Sequence, residues 1–153
     1  MTIRFATLTD IPALVEGGSR MHALTRFRNQ PYNAQKVAQA FSDIITQGQG
    51  KYTFLVAANA EERIVGALIG LIEQQIFSDS LTASVMHFDV LPDARMGGHG
   101  VRLLRAFEQW CANRNVVEIS LGVNSGAAFE KVGRFIARVG YSKVGENFVK
   151  EMK

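Results

Sequence analysis

Several features that other classes of protein depend on are scarce in this sequence. Among 153 residues there is one cysteine, Cys111, which excludes an internal disulfide. No apolar run approaches the roughly 18 residues of a membrane span, and residues 1–5 do not begin a signal peptide, so we expect a cytoplasmic protein. The net charge is only +3, and its basic residues are scattered. We therefore expect neither a nucleic acid nor a membrane as a partner.

Apolar residues are plentiful and regularly spaced. They make up 47% of the chain, enough for the core of a single domain spanning residues 1–153. Strands are predicted over 2–7, 52–58, 64–73, 82–90 and 117–123, the first and last from alternation and 64–73 from a long, nearly all-apolar run typical of a central strand. Helical spacing predicts helices over 11–24, 33–46, 101–113 and 125–139. Cys111 falls on the third of these helices beside other apolar residues, which favours a buried small hydrophobe over a nucleophile.

The chain is expected to close with a hairpin formed by residues 141–144 and 147–152. The element order is then β-α-α-β-β-β-α-β-α-β-β, an α/β fold. Three consecutive strands between helix pairs predict a mixed sheet, antiparallel in its first half and parallel only across residues 82–123.

A glycine-rich segment, Arg95-Met96-Gly97-Gly98-His99-Gly100, joins the fourth strand to the third helix. Glycines let the backbone bring its N–H groups close to an anion, and the helix dipole favours negative charge there. The dinucleotide fingerprint is excluded because Leu103 stands where its third glycine belongs, and no Gly-Lys-Ser/Thr of a Walker loop follows. The segment therefore indicates a phosphate site, with a simple tight turn as the alternative.

The spacing Arg95-x-x-Gly98-x-Gly100, preceded by Pro92-Asp93, resembles the acyl-CoA pyrophosphate loop of the GNAT N-acetyltransferase family. The element order and the stretches 134–141 and 144–152 are also similar to that family, so the resemblance covers nearly the whole chain. It implies the family fold, with the fourth and fifth strands splayed at a bulge and acetyl-CoA as co-substrate between them.

The resemblance assigns the acyl-CoA site residue by residue. Backbone groups of residues 88–90 would pair with pantetheine, and N–H groups of residues 96–101 would hold the pyrophosphate. Asn124 fits an asparagine that commonly follows the fifth strand. The implied residues are Phe88, Asp89, Val90, Arg95, Met96, Gly97, Gly98, His99, Gly100, Val101 and Asn124. The His99 side chain is expected to face solvent or phosphate, and no metal is expected.

Acetyl transfer to an amine needs a base, and the sequence offers Glu73, His87 and Asp89. The alternative for His87 and Asp89 is that they pair with each other or face polar surface. Family members tend to place the base on the opposite face, which alternation assigns here to Ser84, Met86 and Phe88. The family usually has a tyrosine that serves as the general acid for the leaving thiolate. At that position this chain has Ile136, which leaves Tyr141 as the candidate acid.

Two classes of function stay open. The first is N-acetyl transfer to a primary amine of a small molecule or peptide, and the second is a catalytically weak or inactive acyl-CoA-binding module. Phe27 and Tyr32 with Arg26 and Arg28 suggest an anionic or aromatic feature on the acceptor, although a mobile loop with solvated arginines is the alternative. Exposed edge strands near the C-terminus favour a homodimer.

Overall fold

The computed structural model describes residues 1–152. Within them a five-stranded sheet has the spatial order β1-β2-β3-β4-β5. The strands are β1 (Thr2–Phe5), β2 (Tyr52–Ala58), β3 (Ile64–Gln74), β4 (Leu81–Val90) and β5 (Glu118–Leu121). The helices are α1 (Ile11–His22), α2 (Ala34–Gln47), α3 (His99–Ala112) and α4 (Phe129–Arg138).

The sheet is mixed as expected. Strands β1 to β4 pair antiparallel, and β5 joins β4 in parallel. The parallel ladder is short, running only from Thr82 opposite Glu118 to Val85 opposite Leu121. Beyond Val85, β4 continues for five more residues with no strand on that side.

A bulge in β4 changes which of its side chains share a face. Gly70 of β3 lies opposite Val85 and Ile69 lies opposite His87, so Met86 is the extra residue. Ser84 consequently lies on the same face as His87 and Asp89, whereas strict alternation assigned it to the opposite one. Sequence periodicity misses this because a single inserted residue reverses the side-chain parity along the strand.

Each face of the sheet carries its own apolar cluster. One face packs against α1 and α2 and includes Phe54, Val56 and Ile69. The other packs against α3 and includes Leu68, Phe107 and Trp110, with Phe135 of α4 at its margin. The thiol of Cys111 is buried in this second cluster, as expected, and burial raises its pKa to about 11. It is therefore protonated at neutral pH.

The element boundaries differ from expectation at two helix starts. Helix α3 begins at His99, two residues early, because Gly98 adopts φ +75° and serves as its N-cap. Helix α4 begins at Phe129, four residues late. Gly126 and Ala128 both have positive φ and keep residues 122–128 out of the helix.

The expected C-terminal hairpin is not formed. Residues 141–152 contain no strand, and all but Tyr141 are exposed. Phe148 and Met152, expected on the closing strands, retain 86% and 85% exposure. An isolated hairpin is marginal in water unless an apolar face is covered, and no described element covers this one.

Candidate active site

The main feature of the site is an opening between β4 and β5. The Leu91 N–H donates to the Val65 carbonyl at 2.8 Å, so alternation turns the peptide groups of Phe88 and Val90 away from β3. These groups face the side on which β5 has already ended. The splay at a bulge that the resemblance implied is therefore present, and it leaves an unpaired strand edge along residues 88–90.

Arg95 already contacts this edge. Its Nε donates to the Val90 carbonyl at 3.1 Å. The side chain therefore lies at the boundary between the open strand edge and the glycine segment. A guanidinium held there places a permanent positive charge beside both.

The glycine segment begins within a 3₁₀ turn, Pro92–Gly97. It then passes through Gly98, the N-cap, into the first residues of α3. A side chain at Gly98 would meet nothing within 4 Å, so the space outside the turn is open. The N–H groups of His99, Gly100 and Val101 belong to the first turn of α3, where intrahelical partners are lacking. Met96 is fully exposed. The segment thus presents free donors at a positive helix end, which is suited to an anion.

The His99 side chain does not face solvent, contrary to expectation. It is only 7% exposed, and its Nδ1 is buried without a hydrogen-bond partner among residues 1–152. The ring lies so close to Gly97 that a Cβ on that residue would be 2.7 Å from Nε2. The solvent-facing alternative is wrong because the sequence analysis placed His99 in the loop, whereas residue 99 is the first of a packed helix.

Gly100 faces an aromatic pair at the base of the opening. The Phe88 and Phe135 rings stack with centroids 6.4 Å apart. A Cβ on Gly100 would lie 3.5 Å from Phe88 and 3.6 Å from Phe135, ordinary contact distances. These contacts position the start of α3 against β4 and α4.

His87 and Asp89 point to the α1 and α2 face of the sheet and pair with each other. The His87 Nε2 lies 2.9 Å from the Asp89 Oδ2, with side-chain exposures of 36% and 16%. Burial lowers the pKa of His87, but the hydrogen bond and charge of Asp89 outweigh it and leave the pKa above its usual value. Because Nε2 donates to the carboxylate, Nδ1 is left to accept a proton.

A narrow cleft leads to this pair between α1 and the ends of β3 and β4. Gly17 and Gly18 of α1 form part of its wall, together with His87, Asp89 and Leu91. The hydroxyl of Tyr32 donates to the Val15 carbonyl at 2.9 Å. It lies over Gly18, where a Cβ would approach it to 2.8 Å. Burial, and secondarily the charge of Asp89, raises the pKa of Tyr32.

The other candidate residues lie apart from this pair. Glu73 is exposed and four residues along β3 from Ile69, the partner of His87, or about 13 Å at the usual rise. The Tyr141 hydroxyl donates to Glu108 of α3 at 3.3 Å. Burial, together with Glu108, raises the pKa of Tyr141 to about 12. Ile136 is 7% exposed and belongs to the core.

Asn124 lies in the turn that follows β5, and a contact there escaped sequence reasoning. Its carbonyl accepts from Arg26 Nε, and the Ser125 carbonyl accepts from the Arg26 N–H. Arg26 belongs to a 3₁₀ segment, Arg26–Asn29, that follows α1. The residues are 98 positions apart in sequence. The only sequence signal was the glycine at 126, which does not identify its partner.

The family model of the acetyltransferase (GNAT) family matches residues 20–141, most of the chain. The chain belongs to the GNAT family. Within that match fall both β4 and the glycine segment. Among curated proteins, none matches the chain.

Solved structures share the GNAT fold over nearly the full length. A transcriptional regulator from Bacillus halodurans has a TM-score of 0.79 at 22% identity, with 99% of each chain covered. An acetyltransferase from Trypanosoma brucei has a TM-score of 0.75 at 16% identity, again with 99% of each covered. An aminoglycoside 6′-N-acetyltransferase from Acinetobacter baumannii has a TM-score of 0.74 at 15% identity, with 99% of this chain and 97% of that one covered.

Two features are absent from residues 1–152 of this GNAT protein. No group of three or more His, Cys, Asp or Glu side chains in that range is placed to hold a metal ion. No helix there has the length and apolar character needed to cross a membrane.

Proposed function

We propose that this GNAT protein is an acetyl-CoA-dependent N-acetyltransferase acting on a primary amine. The observation that carries the proposal is the β4 edge at Phe88 and Val90, which pairs with no strand of residues 1–152 on this side and leads directly to the anion-suited start of α3. An extended polar arm fits the open edge, and a pyrophosphate fits the N–H groups beyond Gly98. Arg95 lies between the two and supplies positive charge.

His87 is the group best suited to take the proton from the amine. The co-substrate supplies a thioester, and the amine nitrogen forms a bond to its acetyl carbon while the carbon–sulfur bond breaks. His87 Nδ1 accepts the proton that the amine loses, and Asp89 stabilises the resulting imidazolium through Nε2. Glu73 lies too far along the sheet to share this role.

No tyrosine acid is needed in this scheme. Ile136 is buried and Tyr141 is held by Glu108, so we propose that the thiolate leaves without a proton from either residue. A thiol of roughly the basicity of cysteine, with a pKa of about 8.5, is a tolerable leaving group at neutral pH. Because no residue protonates the leaving thiolate, we expect a measurable kcat that is lower than with such a proton donor.

The acceptor is a small molecule or peptide bearing a primary amine. The narrow cleft beside His87 and Asp89 favours an unhindered amine on a small carrier. Two structures of the same fold are named as aminoglycoside acetyltransferases, which is consistent with a small polyamine acceptor.

The test combines calorimetric CoA binding with thiol release from acetyl-CoA over a panel of amines. Gly98→Asn and Gly98→Asp both tolerate positive φ, but each puts a side chain into the proposed phosphate site and the second adds negative charge. We expect Gly98→Asp to weaken CoA binding by about tenfold or more, equivalent to roughly 1.4 kcal/mol, and Gly98→Asn to weaken it less.

Gly50→Asp is the matched control. Gly50 also has positive φ and open space around it, but it precedes β2 at the opposite end of the sheet. It should bind CoA as the parent does. Unchanged binding in Gly98→Asp would contradict the phosphate assignment. CoA binding without thiol release for any amine would instead support the inactive binding module.

A further inference from the structure

A bridge crosses the acceptor side of the opening. The Arg26 N–H donates to the Ser125 carbonyl at 2.7 Å, and Arg26 Nε donates to the Asn124 carbonyl at 2.5 Å. Arg26 follows α1, and the two carbonyls follow β5. The segment after α1 is therefore fastened to the turn after β5 by two hydrogen bonds from one residue.

The position of the bridge follows from strand direction. Strands β4 and β5 run parallel, and their ladder ends at Val85 and Leu121. The residues that continue from β5 therefore lie across the opening from residues 86–90 of β4. On the other side, the segment containing Arg26 leads to Tyr32, whose hydroxyl lies over Gly18 in the wall of the cleft that His87 and Asp89 also line. The bridge thus spans the opening beside the His87–Asp89 pair.

The donor side of the bridge is held in place by its own segment. The Thr25 hydroxyl donates to the His22 carbonyl at 2.9 Å and accepts from the Phe27 N–H at 3.2 Å. The Arg26 guanidinium lies 4.1 Å from the centroid of the Phe27 ring, which orients it. Little conformational freedom remains to be lost when Arg26 meets Asn124.

The acceptor side is shaped to admit Arg26. Gly126 has φ +76°, and a Cβ there would lie 3.2 Å from the Arg26 Cβ. A glycine therefore favours both the positive φ and the close approach of Arg26, and an added Cβ would have to displace the Arg26 side chain. Within residues 1–152, the side chain of Arg28, the other arginine of this segment, donates only to the Thr25 carbonyl of its own segment, at 3.3 Å.

We propose that Arg26 is a positioning residue that holds the acceptor-side segment over the opening by binding the turn at Asn124 and Ser125. This proposal rests on the proposed N-acetyltransferase function. Arg26 does not contact the amine. Its hydrogen bonds hold in place the two segments that border the entrance through which the amine reaches His87. The sequence suggested that Arg26 recognises an anionic acceptor. We assign it instead to holding the segment after α1 against the turn after β5.

The first test is hydrogen exchange of the free protein, which needs no activity. Arg26→Ala should speed exchange in residues 23–31 and in residues 122–128 together, because the side-chain bond to the Asn124 carbonyl is lost and only the main-chain bond to Ser125 remains. Arg28→Ala removes the same charge but should leave exchange in residues 122–128 unchanged. Gly126→Ala should reproduce the Arg26→Ala pattern. Gly140 also has a positive φ, but an added Cβ there has no neighbour within 4 Å among the described residues. Gly140→Ala should therefore leave exchange in residues 23–31 unchanged.

The second test separates KM values. Arg26→Ala should raise KM for the amine by about fivefold, the ratio that one ordinary hydrogen bond is worth, while CoA affinity stays within twofold of the parent. Arg26→Lys, which can still reach a carbonyl, should restore part of the loss. Unchanged exchange in residues 122–128, or equal effects of Arg26→Ala and Arg28→Ala on KM, would overturn the bridge. If the parent protein itself does not bind CoA, that result would instead overturn the proposed function.

Discussion

At the scale of single residues, the chemistry depends on how Asp89 acts on His87. A general base must be neutral to accept a proton, so it works only above its own pKa. Burial alone would lower the pKa of His87 and make it a weak base that is neutral at most pH values. The 2.9 Å contact with Asp89 reverses the shift and makes the imidazole more basic. Asp89 therefore makes His87 a stronger base and at the same time raises the pH above which His87 is neutral and able to accept a proton.

Replacing Asp89 with Asn tests this effect. Without the carboxylate, burial lowers the pKa of His87, so the acid limb of the kcat/KM profile should move to lower pH and the rate at the plateau should fall. His87→Gln should remove this limb and reduce kcat/KM by about 10²–10⁴-fold. Glu73→Gln neutralises a carboxylate at the far end of the sheet and should leave the limb in place. Profiles measured from pH 5 to 9 that are the same for parent and Asp89→Asn would contradict the role of Asp89.

At the residue scale the sequence predicts which groups are present but not where they point. The possibility that His87 and Asp89 pair with each other was foreseen from their spacing, and the contact is observed. The inclusion of Ser84 on their face was not foreseen, because the bulge at Met86 depends on pairing with β3. The inward turn of His99 was also missed, since a helix start shifted by two residues changes its surroundings completely.

At the scale of elements, the packing of α3 on the sheet depends on one glycine. Gly70 of β3 lies at the bulge, and the Phe107 ring of α3 occupies the space where its side chain would be. A Cβ there would lie 2.2 Å from a ring carbon of Phe107, which is fully buried. Because the ring is fully buried, an added side chain could be accommodated only by a shift of the ring or of β3, so α3 and β3 approach this closely because residue 70 has no side chain.

Gly70→Ala should therefore destabilise the protein by about 1–3 kcal/mol or more, as overpacking of a filled core does. Gly133→Ala is the control, because Gly133 lies on the exposed face of helix α4 with nothing among the described residues within 4 Å of an added Cβ. That change should stabilise by roughly 0.5–1 kcal/mol through helix propensity. Urea denaturation of the three proteins measures both effects. Equal stability of Gly70→Ala and the parent would mean that α3 packs differently from the structure.

Elements with strong periodic patterns were predicted closely, and elements that depend on long-range contacts were not. Helix α2 begins after Asn33, whose side chain accepts from the Lys36 N–H as a cap should. The late start of α4 reflects the turn at residues 122–128, where Arg26 from a distant segment binds the backbone. The C-terminal stretch has strand-like alternation, but alternation does not supply a neighbouring strand.

At the scale of the whole molecule, the sheet divides the site between its two faces. His87 and Asp89 face α1 and α2, whereas Phe88 packs towards Gly100 of α3 and Phe135 of α4. The peptide groups of β4 lie between the two faces and are open at residues 88–90. An acyl donor along this edge and an acceptor arriving beside α1 would therefore meet at β4 from opposite sides, which requires no movement of the core.

The other whole-molecule feature is the exposed tail after α4. Within residues 1–152, β5 pairs on one edge only, and residues 141–152 form no strand beside it. The tail carries four exposed apolar side chains, Val144, Phe148, Val149 and Met152. A bare strand edge and exposed apolar side chains both favour association. We keep the expectation of a homodimer, now based on this tail and not on a closing hairpin.

Sedimentation velocity at high micromolar concentration tests the homodimer, and a monomeric parent would contradict it. Phe148→Asp places a charge among the apolar tail residues and should dissociate the dimer, because burying an unpaired carboxylate is costly. Phe77→Asp introduces the same change at another exposed phenylalanine, in the turn between β3 and β4, and should leave the dimer intact. If Phe77→Asp dissociates the dimer and Phe148→Asp does not, the contact lies at the β3–β4 turn and the tail is not its basis.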